Sequence, residues 1–199
     1  MSVDPSLAID VALLLPERVA AFAVALNRRL SGDRQGDLRL DENHLPHITL
    51  AQQFVARQRL PELLTTAAAI AGTERPLGLH VEGVITQGTS LTLAVGHSAP
   101  LQRLHESLMA ALAEFEEAAG DESSFLSGGE EIRPGDVDWV AHYRRRSSFG
   151  RYQPHITIGH GDLEGPVEPL DFVAERLAVC HLGRRCTCRA VLAEWRLGQ

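Results

Sequence analysis

Apolar positions along this chain fall into two rhythms, short runs suited to strands and stretches with a repeat of three to four suited to helices. Residues 6–15 are almost wholly apolar, broken by Asp10, and read as a buried strand ending at Pro16. Pro16 then opens an amphipathic helix that runs to Leu30. Residues 31–37 are loop, 38–55 a strand region, and 57–72 an alanine- and leucine-rich helix with Gly72 placed to cap it. Two alternating runs, 77–85 and 90–96, flank a turn-prone Thr-Gln-Gly-Thr and predict a β-hairpin. A third helix spans about 100–119, and the polar, glycine-rich stretch 120–136 reads as a long surface loop. After a Gly/Pro-rich connection at 159–169, residues 172–182 and 186–197 form a second alternating pair. Hairpins among helices, without strict βαβ alternation, predict an α+β fold with antiparallel sheet. No long linker divides the chain, so residues 1–199 read as a single domain.

Composition narrows the chemistry. With 199 residues and 44% apolar content the chain can bury a sizeable core. All 19 basic residues are arginine. A phosphate-binding P-loop lysine, a Schiff-base lysine and a lysine general base are therefore excluded. The net charge of −7 disfavours sequence-independent binding of long duplex nucleic acid, whose affinity comes from neutralised phosphates. The N-terminus lacks a basic leader, and no apolar run approaches the ~20 residues of a membrane span, so no membrane partner is expected. Three cysteines, Cys180, Cys186 and Cys188, suit a reducing cytoplasm better than a disulfide framework. The expected form is a cytoplasmic monomer.

An internal repeat carries the chemistry. Residues 46–50 read Pro-His-Ile-Thr-Leu and residues 154–158 read Pro-His-Ile-Thr-Ile, one copy in each half of the chain. On a strand His47 and Thr49 share one face, and Ile48 and Leu50 the other. His155 and Thr157 likewise oppose Ile156 and Ile158. Each copy thus presents an imidazole beside a hydroxyl on two apolar anchors. If the halves are related by a pseudo-twofold axis, the two faces meet across a groove. Paired imidazoles there suit in-line phosphoryl chemistry: one takes a proton from the attacking oxygen and the other gives one to the leaving oxygen. Threonine hydroxyls and nearby backbone N–H groups can hold the non-bridging oxygens. Which histidine is base and which acid is open at this level.

With His47-Ile48-Thr49-Leu50 and His155-Ile156-Thr157-Ile158, the latter led by Tyr152-Gln153-Pro154, the sequence resembles the 2H phosphoesterases. These are the superfamily of the 2′-5′ RNA ligase-like proteins and the cyclic nucleotide phosphodiesterases. The closing Leu-Ala-Glu-Trp-Arg-Leu also looks like that family's last strand. The resemblance covers roughly 6–197. It implies a bilobal arrangement of two antiparallel sheets around a central groove. It also implies metal-independent action on 2′,3′-cyclic phosphates, 2′-5′ linkages or ADP-ribose cyclic phosphate, with no cofactor. The alternatives are 2′-5′ RNA ligation or 2′-5′ hydrolysis, and a non-catalytic module binding nucleotides or RNA ends. Two departures, Ala51-Gln52-Gln53-Phe54-Val55 after the first motif and Gly159-His160 after the second, fall where base or ribose would lie.

Around the motifs, His160 is a candidate groove residue contacting substrate. Arg151 shares the His155 face if the strand extends back through Gln153, and so is a candidate phosphate ligand. Tyr152 is a candidate stacking partner for a base, although alternation turns it toward the core. Arg144, Arg145 and Arg146, near Trp139, Tyr143 and Phe149, read as a solvated loop edge, with RNA contact as the alternative. His44 and His160 have no carboxylate at zinc-site spacing, and Cys180, His181, Cys186 and Cys188 match no zinc ribbon, so the cysteines read as buried hairpin residues and no metal is expected.

Overall fold

A computed structural model describes residues 6–31, 38–88 and 90–199. The run after residue 5 forms strand β1 (Ser6–Leu14), and Pro16 precedes helix α1 (Glu17–Arg28). The first motif opens strand β2 (His47–Ala56), which leads into helix α2 (Leu60–Thr73). The hairpin forms as predicted, from β3 (Leu77–Gln87) and β4 (Ser90–Val95), and is followed by helix α3 (Ala99–Ala111). A fourth helix, α4 (Pro134–Ser147), precedes the second motif on β5 (His155–His160). The chain closes with β6 (Leu170–Ala174), β7 (Arg176–Leu182) and β8 (Cys188–Arg196).

Two four-stranded antiparallel sheets result, ordered β2-β1-β7-β8 and β5-β4-β3-β6. The expected α+β, bilobal, pseudo-twofold architecture is therefore the one found. Each motif strand lies at the edge of its own sheet, and these two edges contact each other. One face of each sheet is strongly apolar. Ile9, Val11, Leu13, Ile48, Leu50, Leu177 and Val179 from the first sheet join Leu79, Leu93, Ile156 and Ile158 from the second in one continuous core. The opposite face of the first sheet carries small residues, Ala12, Ala178, Cys180 and Cys188. Leu14 and Leu45 complete this smaller cluster. No helix among the described residues is long and apolar enough to cross a membrane.

Several expectations need correction. The strand region placed at 38–55 begins only at His47. Gly72 does not cap α2, which runs on to Thr73 and ends where Glu74 turns extended. The third helix gives way to a 3₁₀ turn at Ala113–Phe115. Segment 120–136 is no loose surface loop. Phe125 and Ile132 are buried in it, Glu117 N–H just before it donates to the Phe54 carbonyl, and Leu126 N–H donates to that of Leu182. Its last residues already belong to α4. The run 172–182 is not one strand, because at Glu175 the chain leaves the second sheet and enters the first. Much of the loop placed at 31–37 lies outside the described residues.

Candidate active site

Both motif strands carry a β-bulge at the same place. In β2, Val11 pairs with Ala51 and Ala12 with Thr49, so Leu50 is the extra residue. In β5, Leu91 pairs with Gly159 and Thr92 with Thr157, so Ile158 is extra. A bulge resets the alternation of faces. Gln52 thereby joins His47 and Thr49, and His160 joins His155 and Thr157. Each released main-chain carbonyl meets a buried side chain from a helix. His105 Nδ1–H on α3 donates to Leu50 O at 2.6 Å, and Asn27 Nδ2 on α1 donates to Ile158 O at 2.7 Å. Asn27 also donates to Leu38 O at 2.9 Å and accepts from Leu40 N–H at 3.0 Å, anchoring the lead-in to the first motif.

Behind the first motif lies Asp10, fully buried on β1. Its Oδ2 accepts from Thr49 Oγ1 at 2.7 Å and Gln52 Nε2 at 2.6 Å, and lies 3.5 Å from His47 Nε2. Gln52 in turn accepts from Trp139 Nε1 at 3.0 Å, so α4 is tied onto the motif. His47 Nδ1–H donates to Leu45 O at 2.7 Å, and His155 Nδ1–H to Gln153 O at 2.8 Å. Both rings therefore present Nε2 for chemistry.

The two imidazoles differ electrically. Burial opposes charge on His47, but Asp10 more than compensates and its value rises to about 9. His155 is lowered, first by the protein packed around it and then by the charge of His47. His155 as a residue is nonetheless exposed to solvent.

Of the other candidates, His160 lies on the His155 side of its strand and sits against a guanidinium: Arg185 Nη1 lies 2.9 Å from Nε2 and 3.2 Å from Nδ1. Arg185 occupies the β7–β8 connection with a left-handed backbone (φ 59°), where Asp136 Oδ2 accepts its N–H at 3.1 Å. Arg151 does not share the His155 face. The strand begins only at His155, Arg151 lies in a 3₁₀ turn, and its Nη1 donates to Arg145 O at 3.4 Å. Tyr152 is buried, its ring stacked on His105 at 3.9 Å and its hydroxyl donating to Thr49 O at 3.0 Å. No open ring face is left for a base; the tyrosine braces one motif against the other. Arg144, Arg145 and Arg146 form the last turn of α4 rather than a loop edge, with Arg144 paired to Glu116 and Arg146 to Asp138.

Cys180 and Cys188 are buried as expected, and Cys186 is half-buried. Asp10, His47 and Cys188 bring a carboxylate oxygen, an imidazole nitrogen and a sulfur within 4.8 Å of one another, a donor set compatible with zinc. Burial pushes the Cys188 thiol well up, and Asp10 Oδ2 is already engaged by Thr49 and Gln52. His44 pairs instead with Asp41, Glu130 and Arg189. An open depression of about 590 Å³ on the second sheet, lined by His80, Glu82, His97 and Asp171 among others, contains no motif residue.

Sequence reasoning gave no role to Asp10 or Arg185, and it marked Gln52 only as a departure near base or ribose, without its bond to Asp10. A charge within an apolar strand was the available signal for Asp10, because buried carboxylates are rare unless partnered.

Solved structures share this fold. TT0787 of Thermus thermophilus superposes with a TM-score of 0.63 at 20% identity, over 96% of this chain and 98% of that one. E. coli LigT in complex with NADP+ superposes with a TM-score of 0.62 at 16% identity, over 98% and 99%. LigT with 3′-AMP gives 0.60 at 16% identity over the same shares. No curated protein matches the sequence significantly. The family model for the 2′-5′ RNA ligase superfamily, however, matches residues 15–191, both histidine motifs included, and the chain belongs to that superfamily of 2H phosphoesterases.

Proposed function

We propose that the groove hydrolyses a small cyclic phosphodiester, a 2′,3′-cyclic nucleotide or RNA end or a related ADP-ribose cyclic phosphate, by two-histidine acid–base catalysis. The observation that carries this reading is the contact between two edge strands, each with an imidazole and a hydroxyl on one face, His47 with Thr49 and His155 with Thr157. Water attacks phosphorus as one imidazole takes its proton. The P–O bond to one ribose oxygen breaks as the other imidazole protonates that oxygen, and solvent resets both rings. Thr157 and Thr49 lie beside the reacting phosphate, while His160 and Arg185 supply cationic and donor groups further along. LigT structures with 3′-AMP, ATP and phosphate support a small nucleotide as the occupant.

The test is a panel of 2′,3′-cyclic mononucleotides, 2′-5′ oligoadenylate, ADP-ribose 1″,2″-cyclic phosphate and RNA with a cyclic end. Turnover of a cyclic substrate is expected, with His47→Ala and His155→Ala each slower by roughly 10²–10⁴. Wild-type rates in either variant would refute the mechanism. Activity is expected to survive EDTA; loss on chelation with recovery on zinc would instead assign the Asp10, His47 and Cys188 cluster to a metal.

A further inference from the structure

The strands that pair with the two motifs do not match residue for residue. Across the first sheet Asp10 pairs with Gln52 and Ala12 with Thr49; across the second, Ser90 pairs with His160 and Thr92 with Thr157. Where the second motif has an uncharged serine, the first has a buried carboxylate.

That carboxylate decides the proton inventory of His47. Its Nδ1 already carries a proton, donated to Leu45 O. A neutral ring would then turn the Nε2 lone pair toward Asp10 Oδ2 at 3.5 Å, acceptor against acceptor. Protonating Nε2 turns this into attraction between opposite charges. At 3.5 Å the proton is not committed to a short hydrogen bond and can pass to a leaving oxygen. The carboxylate cannot swing away, being held by Thr49 and Gln52, with Gln52 held by Trp139.

The titratable groups around His47 and Asp10 come from every neighbouring element. Cys180 on β7 and Cys188 on β8 face the pair, and His155 faces it from β5. Tyr143 on α4 and Tyr152 face Asp10. Burial keeps the Cys188 thiol and both phenols protonated. Asp10 Oδ2 is the carboxylate oxygen held against His47, at 3.5 Å from Nε2.

We propose that Asp10 is a positioning residue that breaks the symmetry of the site, holding His47 doubly protonated as the general acid and leaving His155 neutral as the general base. This assignment rests on the two-histidine reaction proposed above. His155 Nε2 receives the proton of the attacking water, the water oxygen bonds phosphorus, the ribose P–O bond breaks, and His47 Nε2–H protonates the departing oxygen. The neutral His47 left beside Asp10 is then strongly driven to take a proton back from solvent.

The experiment is a ¹⁵N NMR titration of the full chain, wild type and Asp10→Asn. In the wild type His47 should keep both protons to about pH 9, and His155 should lose its second proton below the ordinary histidine value of 6.5. In Asp10→Asn, His47 should return to 6.5 or lower, roughly a 300-fold loss of proton affinity. A wild-type His47 that titrates at or below 6.5 overturns the proposal, with no substrate needed. If Asp10→Asn does not fold, the wild-type titration decides alone. Turnover of 2′,3′-cyclic AMP at pH 8 gives the direction. As an acid, His47 would drop from about 90% to about 3% protonated, so kcat should fall roughly 30-fold. A rise in kcat would make His47 the base and overturn the assignment. Absence of any cyclic-phosphate turnover would refute the reaction, while the titration still judges Asp10 by itself.

Discussion

Asn27 offers the sharpest test of how this fold holds its second motif. The side chain is 2% exposed and serves three main-chain groups: it donates to Ile158 O and Leu38 O and accepts from Leu40 N–H. Asn27→Leu keeps the branched shape, with a modest gain in volume, and removes every one of these bonds. An orphaned buried polar group costs about 1–3 kcal/mol, and three of them, offset by about 1 kcal/mol of added apolar burial, give a loss of about 2–8 kcal/mol. Against a typical total of about 5–15 kcal/mol this is severe, and at about 2–4 °C per kcal/mol the melting temperature should fall by more than about 4 °C. Urea denaturation should show a lower midpoint with an unchanged slope, since the surface exposed on unfolding stays the same. Asn27→Asp should not rescue, because it keeps the acceptor for Leu40 but points a carboxylate at two carbonyls. Asn43→Ala, at an exposed turn, is the control and should stay within about 0.5 kcal/mol of wild type. If Asn27→Leu also unfolds within about 0.5 kcal/mol of wild type, the bulge carbonyl of Ile158 is not held as described.

Other outcomes follow from the same geometry. Gly159 has φ +139°, and an added Cβ would lie 2.6 Å from Leu30 Cδ1 and 2.9 Å from Asn27 Nδ2, so Gly159→Ala should destabilise by about 1–3 kcal/mol and lower turnover; an unchanged melting temperature would contradict this. His47 is raised from 6.5 unfolded to about 9 folded, so its stabilising effect is whole below pH 6.5 and lost as pH climbs through 9, a decline on the order of 3 kcal/mol. Melting curves from pH 6 to 10 should slope downward more steeply in wild type than in His47→Gln, and parallel slopes would refute the linkage.

The alternation of His47, Thr49, His155 and Thr157 against their isoleucine and leucine neighbours was legible because period two holds through each four-residue motif. It stopped being legible one residue later. Nothing about Leu50 or Ala51 announces a bulge, and simple alternation would have turned Gln52 away from the site. Helix α4 was hard to read because its residues are largely polar and it carries Gly135 in its first turn. Its buried positions, Asp136, Val140 and Tyr143, mix charge with apolar groups and give no clean stripe. Arg185 reaches His160 from a connection 25 residues away in sequence, held by a carboxylate on α4, and no local pattern encodes such a meeting.

The switch of sheets at Glu175 has a consequence for the order in which the molecule assembles. Strands β3, β4, β5 and β6 are consecutive along the chain and can pair as they emerge during synthesis. Strand β1 cannot complete its sheet that way, for its neighbour is β7, with Ile9 facing His181. Such distant pairing is entropically slow and comes late. The N-terminal hairpin, with Asp10 and His47, must therefore wait, its central edge unpaired, until residues 176–182 arrive. A nascent chain truncated before residue 176 should contain a formed second sheet and an unfinished first one. The proposed site is then the last part of the molecule to be completed, because β1 and β2 gain their sheet only when β7 arrives.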